Sequence, residues 1–169
     1  MKKFETKLIE YIPNLRRYAL ALTKTNTCHA DDLVQDTLER ALKKHSLWLR
    51  NSNLRAWLFT IMHNLFINQI NKSALYVLED IDDHEHKQTA AGDPSQDYFM
   101  AQLKQQMEAL PIRQKEVMLL VSLEGFSYEE VAKILNIPVG TVMSRLHRSR
   151  EKLRQTLFKE NSTPLRRVK

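Results

Sequence analysis

Apolar residues recur three and four positions apart along most of this chain, the spacing that lines one face of an α-helix. No stretch alternates apolar and polar residues convincingly enough to be a half-buried strand. In the first half the period predicts helices over Lys3 to Lys24, Ala30 to Lys44 and Asn53 to Leu75, joined by short polar loops. The few glycines and the prolines, read as boundary residues, fit the same picture.

The pattern breaks between Leu78 and Asp93 (LEDIDDHEHKQTAAGD), a polar, acidic stretch closed by a Gly-Asp-Pro turn signal. It reads as a flexible linker. Asp93 is placed to cap a new helix, with Pro94 at its first position and Gln96 at its third. The fold class is therefore all-α, with two small helical domains on an acidic flexible linker. The expected boundaries are 1–75 and 95–160 for the domains, 76–94 for the linker and 161–169 for a basic, disordered tail. Each half is short, so each core is small and is expected to gain stability by packing on a partner.

The sharpest local signal lies between Arg113 and Leu157. A helix (RQKEVMLLVSLE) is expected to stop at Gly125, where a left-handed residue ends a helix. Ser127 and Glu130 have capping-box spacing for a short helix (YEEVAKIL), then come the turn Asn136-Ile137 and Pro138 at the start of the next helix. This is helix-turn-helix spacing. On the last helix Val142, Leu146, Leu153 and Leu157 share the inward face. Ser144, His147 and Arg148 fall opposite, flanked by Met143 and Arg145. A small, polar, cationic face near a helix start suits the major groove, where arginine bridges guanine acceptors and helix-start amides meet phosphate. A solvated basic helix closing a three-helix bundle is the plainer reading of the same residues.

Charge sharpens the picture. The formal net charge is +6, unevenly spread: residues 1–75 carry 12 basic and 6 acidic side chains, 76–99 carry 1 and 7, and 138–169 carry 9 and 2. Basic ends point to a polyanion such as nucleic acid, or to an anionic membrane if an apolar face were exposed alongside. The three glycines, Gly92, Gly125 and Gly140, build no phosphate-cradling loop, which removes the dinucleotide and P-loop folds. The single cysteine, Cys28, excludes an internal disulfide and suits a reducing compartment, so a cytoplasmic location is expected. No apolar run has the length of a membrane span or a signal peptide. The six histidines show no HExxH spacing, and His84 and His86 sit in the acidic stretch. No catalytic residue, cofactor or metal site is expected.

Two N-terminal segments carry further information. In ADDLVQDTLERAL, Val34, Leu38, Ala41 and Leu42 form an apolar stripe opposite Asp32, Gln35, Asp36 and Glu39. The acidic side could also serve only to complement a helix dipole. In Asn53 to Leu75 apolar residues wrap most of the helix, which predicts burial on more than one side. What remains is a narrow neutral strip, Thr60, Asn64, Asn68 and Asn71, bordered by Arg55 and His63. Such amides can bond to bases or sugars, or serve as polar filler.

Taken in order, Asp-Asp-Leu-Val-Gln-Asp-Thr, Leu-Arg-Ala-Trp-Leu-Phe-Thr-Ile-x-x-Asn, Leu-Pro-x-x-x-x-Glu-Val, and Gly-Phe-Ser-Tyr-Glu-Glu-Val-Ala with Pro-Val-Gly-Thr-Val-x-Ser-Arg resemble bacterial RNA polymerase sigma factors of the extracytoplasmic-function subgroup. Residues 4–75 look like their domain two and 95–158 like domain four. The resemblance implies a factor that binds core RNA polymerase through the β′ clamp and the β flap, recognises −10 and −35 promoter DNA, promotes melting, and is held by an anti-sigma factor. It does not imply membrane binding. The resemblance places polymerase contacts at Asp32, Leu33, Gln35, Asp36 and Glu39. It places −10 contacts at Arg50, Asn51, Ser52, Asn53, Arg55, His63, Asn64 and Asn68, with Trp48, Trp57 and Phe59 nearby and mostly expected in the core. The implied −35 contacts are Thr141, Met143, Ser144, Arg145, His147 and Arg148. Many members have arginine at the Met143 position and a basic pair at Asn71-Lys72, which bears on the promoter sequence read. The acidic linker resembles a segment threaded through polymerase channels. A sigma-like decoy for an anti-sigma protein and a conventional helix-turn-helix regulator are the rival classes. The decoy would lack the recognition face or carry a receiver domain, and the regulator would not need the acidic helix.

Overall fold

In the computed structural model, which describes residues 2–24, 26–48, 52–76 and 94–159, the helical periods become seven α-helices, with no strand among the described residues. Helix α1 spans Lys2–Leu22, α2 Thr27–Lys43, α3 Leu54–Tyr76, α4 Pro94–Glu108, α5 Ile112–Met118, α6 Tyr128–Leu135 and α7 Val139–Lys159. The linker core 77–93, the tail 161–169, and Arg50 and Asn51 lie outside the described residues.

Local chemistry explains most boundaries. Asn26 accepts the His29 amide at 3.1 Å, so α2 starts three residues earlier than its apolar stripe suggests. Asn53 caps α3 by accepting the Ala56 amide at 3.1 Å. Pro13 departs from the expected boundary placement: it lies inside α1 on the exposed side, where its missing amide forfeits one helical bond toward solvent. Leu42, expected in the buried stripe of α2, is 42% exposed at the end of that helix.

The helix expected from Arg113 to Gly125 is interrupted. After α5 the chain widens into a π turn over Leu119–Leu123, and the Glu124 amide reaches back to the Leu119 carbonyl at 3.0 Å. Gly125 then takes φ +69° and ends the element, the conformation foreseen for it. The extra residue in the turn swings Glu124 and Phe126 toward α1 and α3.

Helices α1, α2 and α3 pack in sequence, and α4 to α7 form the helix-turn-helix bundle around α7. The two halves are not separate bodies. Helix α3 lies against α6, and α1 against the π turn, so one buried apolar cluster runs through both. At the junction Phe59 and Phe126, 0% and 3% exposed, meet edge-on with ring centroids 5.1 Å apart. Burying each ring contributes roughly 1.5–3 kcal/mol. The partner each small core was expected to need is the other half of the chain.

Candidate nucleic-acid interface

The face of α7 is built by what precedes it. Ser127 accepts the Glu130 amide at 3.2 Å while Glu130 accepts the Ser127 amide at 2.9 Å, the reciprocal capping box read from the sequence. Asn136, in the left-handed region at φ 52°, turns the chain, and the Pro138 carbonyl accepts the Thr141 and Val142 amides. Val142, Leu146, Leu153 and Leu157 are buried, which fixes the rotation of the helix. Ser149 adds a pin that the sequence did not disclose: fully buried, its hydroxyl reaches the Arg145 carbonyl at 2.8 Å and the Gln114 carbonyl of α5 at 3.3 Å.

That rotation turns Met143, Ser144, His147 and Arg148 to solvent, with Thr141 and Arg145 half-buried at the edge. All six predicted −35 residues thus lie along one face. Neither Arg145 nor Arg148 is ion-paired with another described residue, so both guanidinium groups are available to an anion.

On α2, Asp32, Gln35, Asp36 and Glu39 are exposed on the outward side. Leu33 is not among them. It is fully buried with Ala30, Thr37 and Ala41, positions three, four and eight residues away on the same helix face, and cannot be a surface contact in this arrangement. Glu39 pairs with Lys43 one turn on, and that hydrogen bond holds its carboxyl below the usual range.

The predicted −10 set divides. Ser52, Asn53, Asn64 and Asn68 are exposed, whereas Phe59 is core, and Trp48 and Trp57 are half-buried around Phe4. His63 is a correction: it is 7% exposed, because it follows Phe59 by one helical turn on the side of α3 that faces the C-terminal half. Its Nδ1 lies 2.6 Å from Glu116 Oε1 on α5. Arg55 is also engaged across the junction, donating to Glu124 Oε2 at 2.8 Å with its guanidinium 4.2 Å from the centre of the Phe126 ring. Asn53 donates to Glu130 at 2.8 Å.

Glu124 is the hub of this junction. Its side chain is wholly buried, and among the described residues its side-chain donors come from the N-terminal half: Arg17 at 2.9 and 3.1 Å, Arg55 at 2.8 Å and Asn14 at 3.3 Å. Arg17 also reaches the Leu123 carbonyl at 3.2 Å. Below it, Glu116 Oε2, which lies 4.0 Å from Arg113 Nη1, and the Tyr18 hydroxyl are buried without a hydrogen-bond partner among the described residues. Burial, reinforced by the charges of Glu116 and Glu124, pushes the Tyr18 hydroxyl well above the ordinary tyrosine range. Glu124, Arg17 and Tyr18 are not singled out by the sequence, and Glu116 enters it only as the glutamate of Leu-Pro-x-x-x-x-Glu-Val.

Comparison with known proteins matches both halves. The family described as Sigma-70, region 4 matches residues 100–153, and the family described as the Sigma2 domain of PhyR matches residues 8–63. The chain is 39% identical over 153 residues to the ECF RNA polymerase sigma factor EcfG of Rhodopseudomonas palustris (strain TIE-1), covering 89% of this chain and 83% of that protein. It is 31% identical over 135 residues to the RNA polymerase sigma factor YlaC of Bacillus subtilis (strain 168), covering 77% and 78%. Among solved structures it resembles the sigma factor RpoE in complex with the anti-sigma factor NepR from Bartonella quintana. That match has 34% identity and a TM-score of 0.79 over 94% of this chain and 98% of that one.

Proposed function

The chain belongs to the ECF RNA polymerase sigma factors, and from that premise we propose that it binds core RNA polymerase, reads −10 and −35 promoter DNA with separate domains, and promotes melting of the start region. It acts by binding, without catalysis of its own. Residues 1–75 serve as domain two and 95–160 as domain four, with 76–94 as the acidic connection. No helix among the described residues is long and apolar enough to cross a membrane.

One observation carries this reading furthest: the small, cationic face of α7, held outward by Val142 and Leu146 behind a capped helix-turn-helix. There Arg145 and Arg148 are within reach of guanine edges, Ser144 and His147 of bases or phosphates, and Met143 offers apolar contact to a thymine methyl. The exposed carboxylates Asp32, Asp36 and Glu39, with Gln35, present an acidic helix to a basic surface of the polymerase. Asn64 and Asn68 would lie along the non-template strand, and the loop of Arg50, Asn51, Ser52 and Asn53 would hold an extruded base. Taking that base from the stack costs a few kcal/mol, which its pocket must return. The fold match to a sigma factor complexed with an anti-sigma factor supports a protein inhibitor of the same kind here.

Gel filtration of the purified chain with bacterial core RNA polymerase tests the assignment. Co-elution at equal stoichiometry is the expected result. Binding to duplex DNA with no association to polymerase would instead make the chain a conventional helix-turn-helix regulator.

A further inference from the structure

We propose that Ser149 and Lys152 are positioning residues for sequence readout: they anchor α7 to α5 and α4, and so fix where Arg145 and Arg148 meet the bases. The inference rests on the sigma-factor reading above and deepens its −35 half. Arg145 stands one helical turn before Ser149, and Arg148 one turn before Lys152, so each arginine is followed by an anchor at the neighbouring position of the helix surface.

Ser149 is 0% exposed, and its hydroxyl proton is shared between the Arg145 carbonyl at 2.8 Å and the Gln114 carbonyl at 3.3 Å. The nearer arm ties it to the peptide of Arg145 itself, and the longer one crosses to α5. Both carbonyls stand inside helices, where the amide four residues on already serves them. The hydroxyl is therefore a surplus donor: alanine in its place would orphan neither carbonyl and is the better helix former. What the hydroxyl supplies is position. A serine that bonds back to the carbonyl four residues earlier tends to bend its helix, and here that bend falls on the turn that carries both arginines.

Lys152 holds the helix from outside. Its ammonium donates to the Ala109 carbonyl at 3.1 Å, immediately past the end of α4. Carbonyls at a helix end have no amide partner of their own, and a cation there meets the negative end of the helix dipole. In the sequence Lys152 is one more positive charge on a basic helix, as suited to a phosphate as its neighbour Arg150; the fold gives it a carbonyl instead. The buried Val142, Leu146, Leu153 and Leu157 set which face of α7 turns inward. Apolar contact is non-directional and leaves tilt and sliding loosely fixed. An arginine fork discriminates between bases only when held within about 0.5 Å and 10–20° of its acceptors. The two hydrogen bonds to carbonyls of α5 and of the α4 end supply that constraint.

The test assembles the full chain with core RNA polymerase on a library of duplexes randomised upstream of the start, and sequences the bound fraction. Discrimination is the enrichment of preferred over average sequences at the distal element. Ser149→Ala removes the buried hydroxyl, Lys152→Met removes the ammonium and keeps the stem, and Lys152→Arg restores a donor. Both removals are expected to leave Tm unchanged and to lower discrimination about fivefold or more, with Lys152→Arg recovering most of it. The salt dependence of binding separates the anchor from a phosphate contact: an anchor leaves the slope of log K against log salt as it was, whereas a lost phosphate contact makes it shallower by about 0.9. Lys152 is exposed, so its variants decide the question if Ser149→Ala fails to fold by circular dichroism. Unchanged discrimination in the folded variants, or a shallower slope in Lys152→Met with discrimination intact, would overturn the anchors while the sigma reading stands. An unsubstituted protein that selects no sequence together with the polymerase would overturn that reading, and the anchors with it.

Discussion

Tyr18→Phe should stabilise this protein, against the usual direction of a change in a fully packed core. Tyr18 is 1% exposed, its ring meets Phe59 edge-on at 5.2 Å, and its hydroxyl has no hydrogen-bond partner while lying close to two carboxylates. Phenylalanine keeps the ring contact and removes only the orphaned polar atom. A buried hydroxyl without a partner costs about 1–3 kcal/mol, and for a chain of this size each kcal/mol moves Tm by roughly 2–4 °C. The expected gain is therefore a rise of a few degrees and an increased urea midpoint at pH 7. A second signature lies in alkali. Because the folded protein holds Tyr18 well above the tyrosine range, its neutral form is the one compatible with folding. The native stability is complete below the unfolded pKa of about 10 and falls as pH rises through that value toward the higher folded one. The variant should lack this component of the alkaline loss. Urea titrations from pH 7 to pH 11 on both proteins make the comparison. A loss of about 1 kcal/mol or more at pH 7 would refute the argument, since it would mean the hydroxyl makes a bond that the fold depends on.

Two further outcomes concern the proposed contacts. Asp36→Arg should abolish co-elution with core polymerase while circular dichroism and the melting curve stay as before, because Asp36 is exposed and free of core contacts; unchanged affinity would remove α2 from the polymerase interface. Arg148→Ala should weaken binding to −35 duplex by about 1–3 kcal/mol, roughly 5- to 150-fold, as read by fluorescence anisotropy, and an equal loss on every duplex would reassign Arg148 to phosphate.

What the sequence disclosed was chemistry local to a helix or a turn. The Ser127–Glu130 box, the left-handed Gly125 and the outward face of α7 each depend on residues within a few positions of one another, so the period and the capping rules find them. The junction does not work that way. Glu124 meets Arg17 across 107 residues and Arg55 across 69, and along its own segment it reads as one more solvated glutamate after an apolar run. Its burial depends on the π turn, which adds a residue that a steady 3.6 period does not contain. His63 and Leu33 are hard to place for a related reason. One borders the neutral strip of α3 and the other lies in the Asp-Asp-Leu-Val-Gln-Asp-Thr motif, yet the faces they share with Phe59 and with Ala30 and Thr37 are the packed ones. Arg55 stands out in the sequence as a cation beside the neutral strip, and only the fold reveals that it holds a carboxylate.

The central claim is that this chain directs a polymerase to particular start points. Sequencing the transcripts made from genomic DNA fragments by core RNA polymerase, with and without the purified protein, tests it most directly. Discrete new starts that share two upstream motifs are expected, with the distal motif lost in Arg148→Ala. Transcripts unchanged by the protein, although it binds the polymerase, would contradict it and leave a decoy in its place.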